Sequence, residues 1–122
     1  MSMTAAEWME LSYSKMRNQK AHDPECRMAD MINPVRPWAI CADGTIISIQ
    51  GSPCHYSRPK EFVPKYISVE VGLLNADPTL DNVYFCEDTG FLPGEGVRYI
   101  YGNVAMVDVE RIVSEHGGIV NT

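Results

Sequence analysis

The sequence predicts a small α+β domain: an antiparallel sheet of about four to six strands with an N-terminal and a C-terminal helix. Three features carry this. Asp43-Gly44 stands between two apolar runs, a hairpin signal. Tyr66 to Leu73, YISVEVGL, alternates apolar and polar residues as a half-buried strand does. Both ends of the chain combine helical spacing with capping residues.

The chain has 122 residues, 45% of them hydrophobic, enough for one domain with its own core. We read it as a single domain, with a helical segment over 1–33 and the sheet core and C-terminal helix over 36–118.

Residues 4–19 form the first helix. Thr4 and Glu7 have capping-box spacing, with acids early and Lys15, Arg17 and Lys20 late, as the helix dipole favours. Trp8, Met9, Ser12, Tyr13 and Met16 make one stripe. The stripe packs on the domain or meets a second subunit. Asp23-Pro24 opens a short second helix ending near Met31, and Asn33-Pro34 and Arg36-Pro37 stop it.

The hairpin strands span about 37–42 and 45–50. Asp43 and Gly44 suit the two left-handed positions of a two-residue turn. Trp38 and Ile40 share one face, as do Ile47 and Ile49. Residues 51–65, with three prolines and no period, are a structured loop. It holds Ser52, His55, Tyr56, Ser57, Arg58 and Lys60 and is either a binding loop or a solvated connection.

In the strand over 66–73, Ile67, Val69 and Val71 face one way. Asn75 to Asp81 is a turn, Val83 to Cys86 a short strand, and Glu87 to Gly96 a glycine-rich loop. Phe91 in that loop folds back on the core or offers a stacking surface. Val97 to Tyr101 is the last main strand, ending before Gly102-Asn103. Residues 107–116 form the closing helix, with Val109, Ile112, Val113 and His116 inward and Gly117 at its left-handed cap. His116 compensates the helix dipole.

The net charge of −6 argues against a protein that grips duplex DNA, which needs a basic face. It leaves room for a small anion held by two or three guanidinium groups. No apolar run approaches a membrane-spanning length, and the first residues do not read as a signal peptide, so the cytoplasm is expected. The four cysteines lack CxxC spacing and are expected to be free thiols, not zinc ligands. None of the common hydrolase, metalloprotease, phosphate-loop or dinucleotide motifs is present. Cys54-His55 and Glu87-Asp88 lack the partners catalysis needs. A binding module is favoured over an enzyme. If the 51–65 loop, the Phe91 loop and the segment Arg98–Asn103 meet, Arg58, Arg98 and Arg36 face phosphates. Tyr56, Phe91 and Tyr99 then stack on a base, and Asn103 reads its edge.

The stretch from Arg36 to Gly118 resembles a family of small bacteriophage proteins. The likeness lies in Arg36-Pro37-Trp38, Asp43-Gly44, Ser48-Ile49-Gln50, His55-Tyr56-Ser57-Arg58-Pro59, Val69-Glu70-Val71-Gly72, Tyr101-Gly102 and His116-Gly117-Gly118-Ile119. It is similar to the phage Thoeris anti-defense proteins that act as signal sponges. The chain departs at Asn103-Val104-Ala105-Met106, and residues 86–96 do not align, so the roles of Phe91 and Asn103 rest on residue type alone.

The resemblance implies a non-enzymatic protein of the host cytoplasm. It would sequester a cyclic ADP-ribose isomer made by TIR-domain sensors and block TIR-based defence. Arg36, Gln50, His55, Tyr56 and Arg58 lie within the matched blocks and are expected to bind the ligand, joined on residue type by Phe91, Arg98 and Asn103, with no catalytic residue, metal or cofactor. The resemblance also implies self-association as a dimer or larger, which would suit the stripe Trp8, Met9, Tyr13 and Met16 as part of the interface. The competing expectations are direct inhibition of a host defence protein, through an acidic surface that imitates nucleic acid, or a small nucleotide-processing enzyme.

Overall fold

In a computed structural model, described over residues 2–22, 34–76, 80–92 and 95–121, the chain forms a five-stranded antiparallel sheet with both helices on one face. The elements are α1 (Ala5–His22), β1 (Ala39–Ile40), β2 (Ile46–Gln50), β3 (Ser68–Leu73), β4 (Phe85–Asp88), β5 (Tyr99–Ala105) and α2 (Met106–Glu115). The sheet order is β1-β2-β3-β5-β4. This is the predicted α+β arrangement. The expected helix from Asp23 to Met31 lies outside the described residues, as do the centre of the 75–81 turn and Cys26.

Helix α1 starts on the predicted box. The Thr4 amide donates to Glu7 Oε1 at 2.9 Å, and the Glu7 amide donates to Thr4 Oγ1 at 3.1 Å. The stripe of α1 turns inward. Ala5, Trp8, Met9 and Ser12 follow the i, i+3, i+4, i+7 spacing of one buried face. Trp8 and Met9 are 2% and 1% exposed, so both belong to the chain's own core and offer no surface to a second subunit. Each such side chain contributes about 1.5–3 kcal/mol by leaving water. Tyr13 and Met16 are half-buried. Against α1 pack Ile47, Ile49, Val69, Val71, Leu73, Tyr101 and Val104 of the sheet, and Val109, Ile112 and Val113 of α2.

The hairpin forms, but its turn is not the two-residue kind. Ile40 pairs with Ile46, the Cys41 amide donates to the Thr45 carbonyl at 2.8 Å, and the Gly44 amide donates to the Cys41 carbonyl at 2.9 Å. The connection is Ala42-Asp43-Gly44, and only Gly44 has a positive φ, +90°. Hairpins with three-residue loops need one left-handed residue, and glycine supplies it. The turn docks on the end of α2. There Gly118 donates to the Val113 carbonyl and Gly117 to that of Ser114, the paired bonds of a Schellman cap.

Three strand boundaries differ from the expectation. Ile67 lies before β3 and is exposed, because Arg58 instead bridges to Ser68. Residues 82–84 make a 3-10 turn, which shifts the short strand to Phe85–Asp88. Strand β5 runs through Gly102 and Asn103 instead of stopping there. It continues because Val69 pairs with Val104 and Val71 with Tyr101, so Glu70 faces two residues, Gly102 and Asn103. This bulge absorbs the glycine without ending the ladder.

Trp38 and Ile40 share the outer face of the sheet and stay exposed, as does Val120 beside them. No helix among the described residues is long and apolar enough to cross a membrane.

Candidate functional site

The outer face of β3, β5 and β4 carries two bulges side by side. On β5 the extra residue is in the Gly102-Asn103 pair. On β4 it is Cys86, which falls between the pairs Phe85–Tyr101 and Glu87–Ile100. Asn103 has φ +50°, the one positive value at a non-glycine residue among those described. Such strained positions persist where surrounding structure holds them, and they cluster at functional sites. Here the surrounding structure is the loop 51–66.

That loop leaves β2, crosses the bulges and hooks round the end of the sheet to α1. Its first half is tied down through its backbone. Tyr56 donates its amide to Glu70 Oε2 at 2.9 Å, and its carbonyl accepts the Asn103 amide at 2.9 Å. The Arg58 amide donates to the Ser68 carbonyl at 3.0 Å, and the Arg58 carbonyl accepts the Ile67 amide at 2.8 Å. Gly102 gives Tyr56 room to descend, since a Cβ there would lie 3.0 Å from Tyr56 Cβ and 2.8 Å from Cys86 Sγ. The second half meets α1, with Phe62 packed at a tilt on Tyr13 at 5.0 Å between ring centroids and Lys65 paired with Glu10 at 3.6 Å. The Arg58-Pro59 peptide is cis.

With the backbone so occupied, the loop exposes Tyr56, Arg58 and Lys60, alongside Pro53, Cys54, Pro59, Glu61 and Lys65. Tyr56 is 55% exposed, with Lys60 Nζ 5.9 Å from its ring centroid. Arg58 is exposed in the same loop, and no hydrogen bond or ion pair joins its guanidinium to another described residue. A phenol ring with one cation close by and a second in the same loop suits a ligand that has a flat ring and phosphate.

Beneath the loop the polar residues bond to one another. Ser52 is fully buried and lies 2.6 Å from His55 Nδ1 through its hydroxyl, which also accepts the Cys54 amide at 3.1 Å. Burial pushes the pKa of His55 down, and Arg36 adds to this while Glu70 works against it. A serine closed off from solvent cannot reach a substrate, so the Ser52–His55 pair fastens the loop. Gln50, 4% exposed, accepts the Arg36 amide at 2.7 Å and donates to the Arg36 carbonyl at 2.8 Å.

Of the eight residues read from the sequence, Tyr56, Arg58, His55 and Asn103 gather here. Arg36 and Gln50 lie under the loop in the interior and face no solvent. Arg98 and Phe91 stand at the other end of the sheet. The Arg98 amide bonds the Leu73 carbonyl, whereas Asn103 lies beside Ser68 at the opposite end of β3. Five residues of strand put about 16 Å between them at roughly 3.3 Å per residue. Arg98 is also engaged. It donates to the Phe91 carbonyl at 2.6 Å, pairs with Asp88 at 3.4 Å and lies 5.2 Å from the Tyr99 ring centroid. It fastens the glycine-rich loop, where Phe91 packs against Gly96. The single pocket sought from the sequence is therefore two separate places.

No protein-family model, curated protein or solved structure matches the chain. The site is thus read from its own geometry. Sequence reasoning missed Glu70, Ser68 and Cys86 as neighbours of the loop. The bulges that bring them there depend on strand register, which local pattern does not contain. Lys60, two residues past Arg58 in the same loop, was legible by position alone.

Proposed function

We propose that the chain is a phage anti-defense protein that captures a cyclic ADP-ribose isomer and holds it without cleaving it. One observation carries this reading. Tyr56 and Arg58 are fixed to the sheet through their backbones, while the side chains of Tyr56, Arg58 and Lys60 are left exposed. A loop held by its backbone, with exposed cations and an exposed ring, loses little entropy on binding. Arg58 and Lys60 hold the phosphates, and Tyr56 stacks on the adenine. Asn103 meets the base or ribose at the rim. Assembly of copies as a dimer or larger buries the ligand further and slows its release, the rate through which affinity is chiefly tuned.

The test is to incubate the protein with the cyclic ADP-ribose isomer released by a TIR-domain enzyme, remove unbound ligand, then heat-denature. Recovery of the intact isomer only after heating supports capture. A new product points to an enzyme. An isomer that is never retained sets this ligand aside and favours a protein target.

A further inference from the structure

Arg36 is 1% exposed, and its acceptors bring together segments that are distant in sequence. Nε donates to Ser12 Oγ at 2.8 Å, Nη1 to the Gly51 carbonyl at 3.2 Å, and Nη2 to the Val63 carbonyl at 3.0 Å and the Met9 carbonyl at 3.4 Å. Gly51 and Val63 are the two stems of the loop 52–62, and Met9 and Ser12 lie on α1. The guanidinium plane is also 4.9 Å from the Phe62 ring centroid and 5.5 Å from that of Tyr66. Burial lowers its pKa, yet arginine starts so far above neutral that the group stays a cation. A buried cation is tolerated only where its donors are met, and Arg36 is met chiefly by backbone carbonyls.

Tyr66 completes the clamp. Its hydroxyl accepts the Val63 amide at 3.1 Å and lies 2.9 Å from the Gly51 carbonyl and 2.6 Å from that of Glu61. The ring covers Gly51 so closely that a Cβ there would stand 2.3 Å from it.

We infer that Arg36 is the positioning residue of the binding loop. It draws both stems onto α1, so that Tyr56, Arg58 and Lys60 are presented in one fixed arrangement, and it never touches the ligand. This rests on the proposed capture site at that loop. Lysine cannot replace it, because an ammonium has no planar fork to span two carbonyls from different segments.

The experiment uses the full chain with Arg36→Lys and, should that variant fail to fold, Ser12→Ala, which removes the α1 side-chain acceptor of Arg36 Nε. Hydrogen–deuterium exchange is followed in peptides from 52–66, with those from β3, β5 and α2 as internal references. Release of the cyclic ADP-ribose isomer is timed in parallel. We expect exchange in 52–66 to rise about tenfold, the scale of one lost hydrogen bond to a charged group, with the reference peptides little changed. Release should quicken by a similar factor while capture rate holds. Unchanged exchange in 52–66, or an equal rise in every peptide, overturns the inference. If the wild-type chain retains none of the isomer, the capture reading fails, and the exchange result still decides the role of Arg36.

Discussion

The carbonyl of Tyr56 accepts the amide of Asn103 at 2.9 Å, and Asn103 holds a left-handed φ of +50° in mid-strand. The bulge turns that amide out of the ladder and toward the loop. A strained strand residue and the loop 51–66 thus support each other.

A substitution series at position 103 should expose the strain. Left-handed backbone costs a β-branched residue about 1–2 kcal/mol more than glycine. Asn103→Val should therefore unfold at lower urea than Asn103→Gly by that amount, with equal m-values. Equal midpoints would mean that the bulge relaxes freely.

Glu110 of α2 closes the start of α1, accepting the amides of Ala5 at 2.5 Å and Ala6 at 3.3 Å. Together with Thr4 and Glu7, it satisfies amides that a helix start leaves open. Glu110→Ala should cost about 1 kcal/mol in urea unfolding, the usual loss of a cap. Glu110→Gln, which keeps an acceptor oxygen, should cost less.

Asp43 ties the hairpin turn to the end of α2, 2.6 Å from His116 Nδ1 and 3.0 Å from the Thr45 amide. The His116 contact, followed by the Thr45 amide, lowers its pKa to about 2. An unfolded aspartate titrates near 3.9. Between those values the unfolded chain binds more protons, so stability rises with pH there. The contribution is complete above about pH 4 and lost as pH falls through about 2. Asp43→Asn should flatten the acid limb of thermal unfolding measured against pH.

Much of this fold is local chemistry and is readable without coordinates. The Thr4–Glu7 box, the left-handed Gly117 and the alternation of Val69 and Val71 each need only neighbours a few residues away. What escapes such reading depends on pairing across the chain. Whether Trp8 faced the core or a partner depended on the sheet that α1 covers. Gly102-Asn103 has the composition of a strand end, and only register with Glu70 makes it a bulge. Arg36 and Arg98 have the residue type of phosphate ligands, but Arg36 is consumed inside and Arg98 binds the Phe91 loop. Composition does not separate a free guanidinium from a structural one.

The thiols should differ in reactivity. Burial, with Asp43 adding to it, pushes Cys41 up to about 11, whereas Cys54 and Cys86 are exposed. Thiolates are the reactive species. Brief iodoacetamide treatment of the native protein followed by peptide mapping should label Cys54 and Cys86 and leave Cys41 unmodified until denaturant is added.

The most direct test of the capture site is calorimetric titration of the cyclic ADP-ribose isomer into the wild-type chain, Arg58→Ala and the double variant Arg58→Ala/Lys60→Ala. Saturable binding by the wild type is expected. It should weaken by about tenfold or more for each cation removed, the effect of losing a charge-assisted contact to phosphate, with unfolding midpoints unchanged. Equal affinity in all three proteins, or no binding by the wild type, would contradict the placement of the site on this loop.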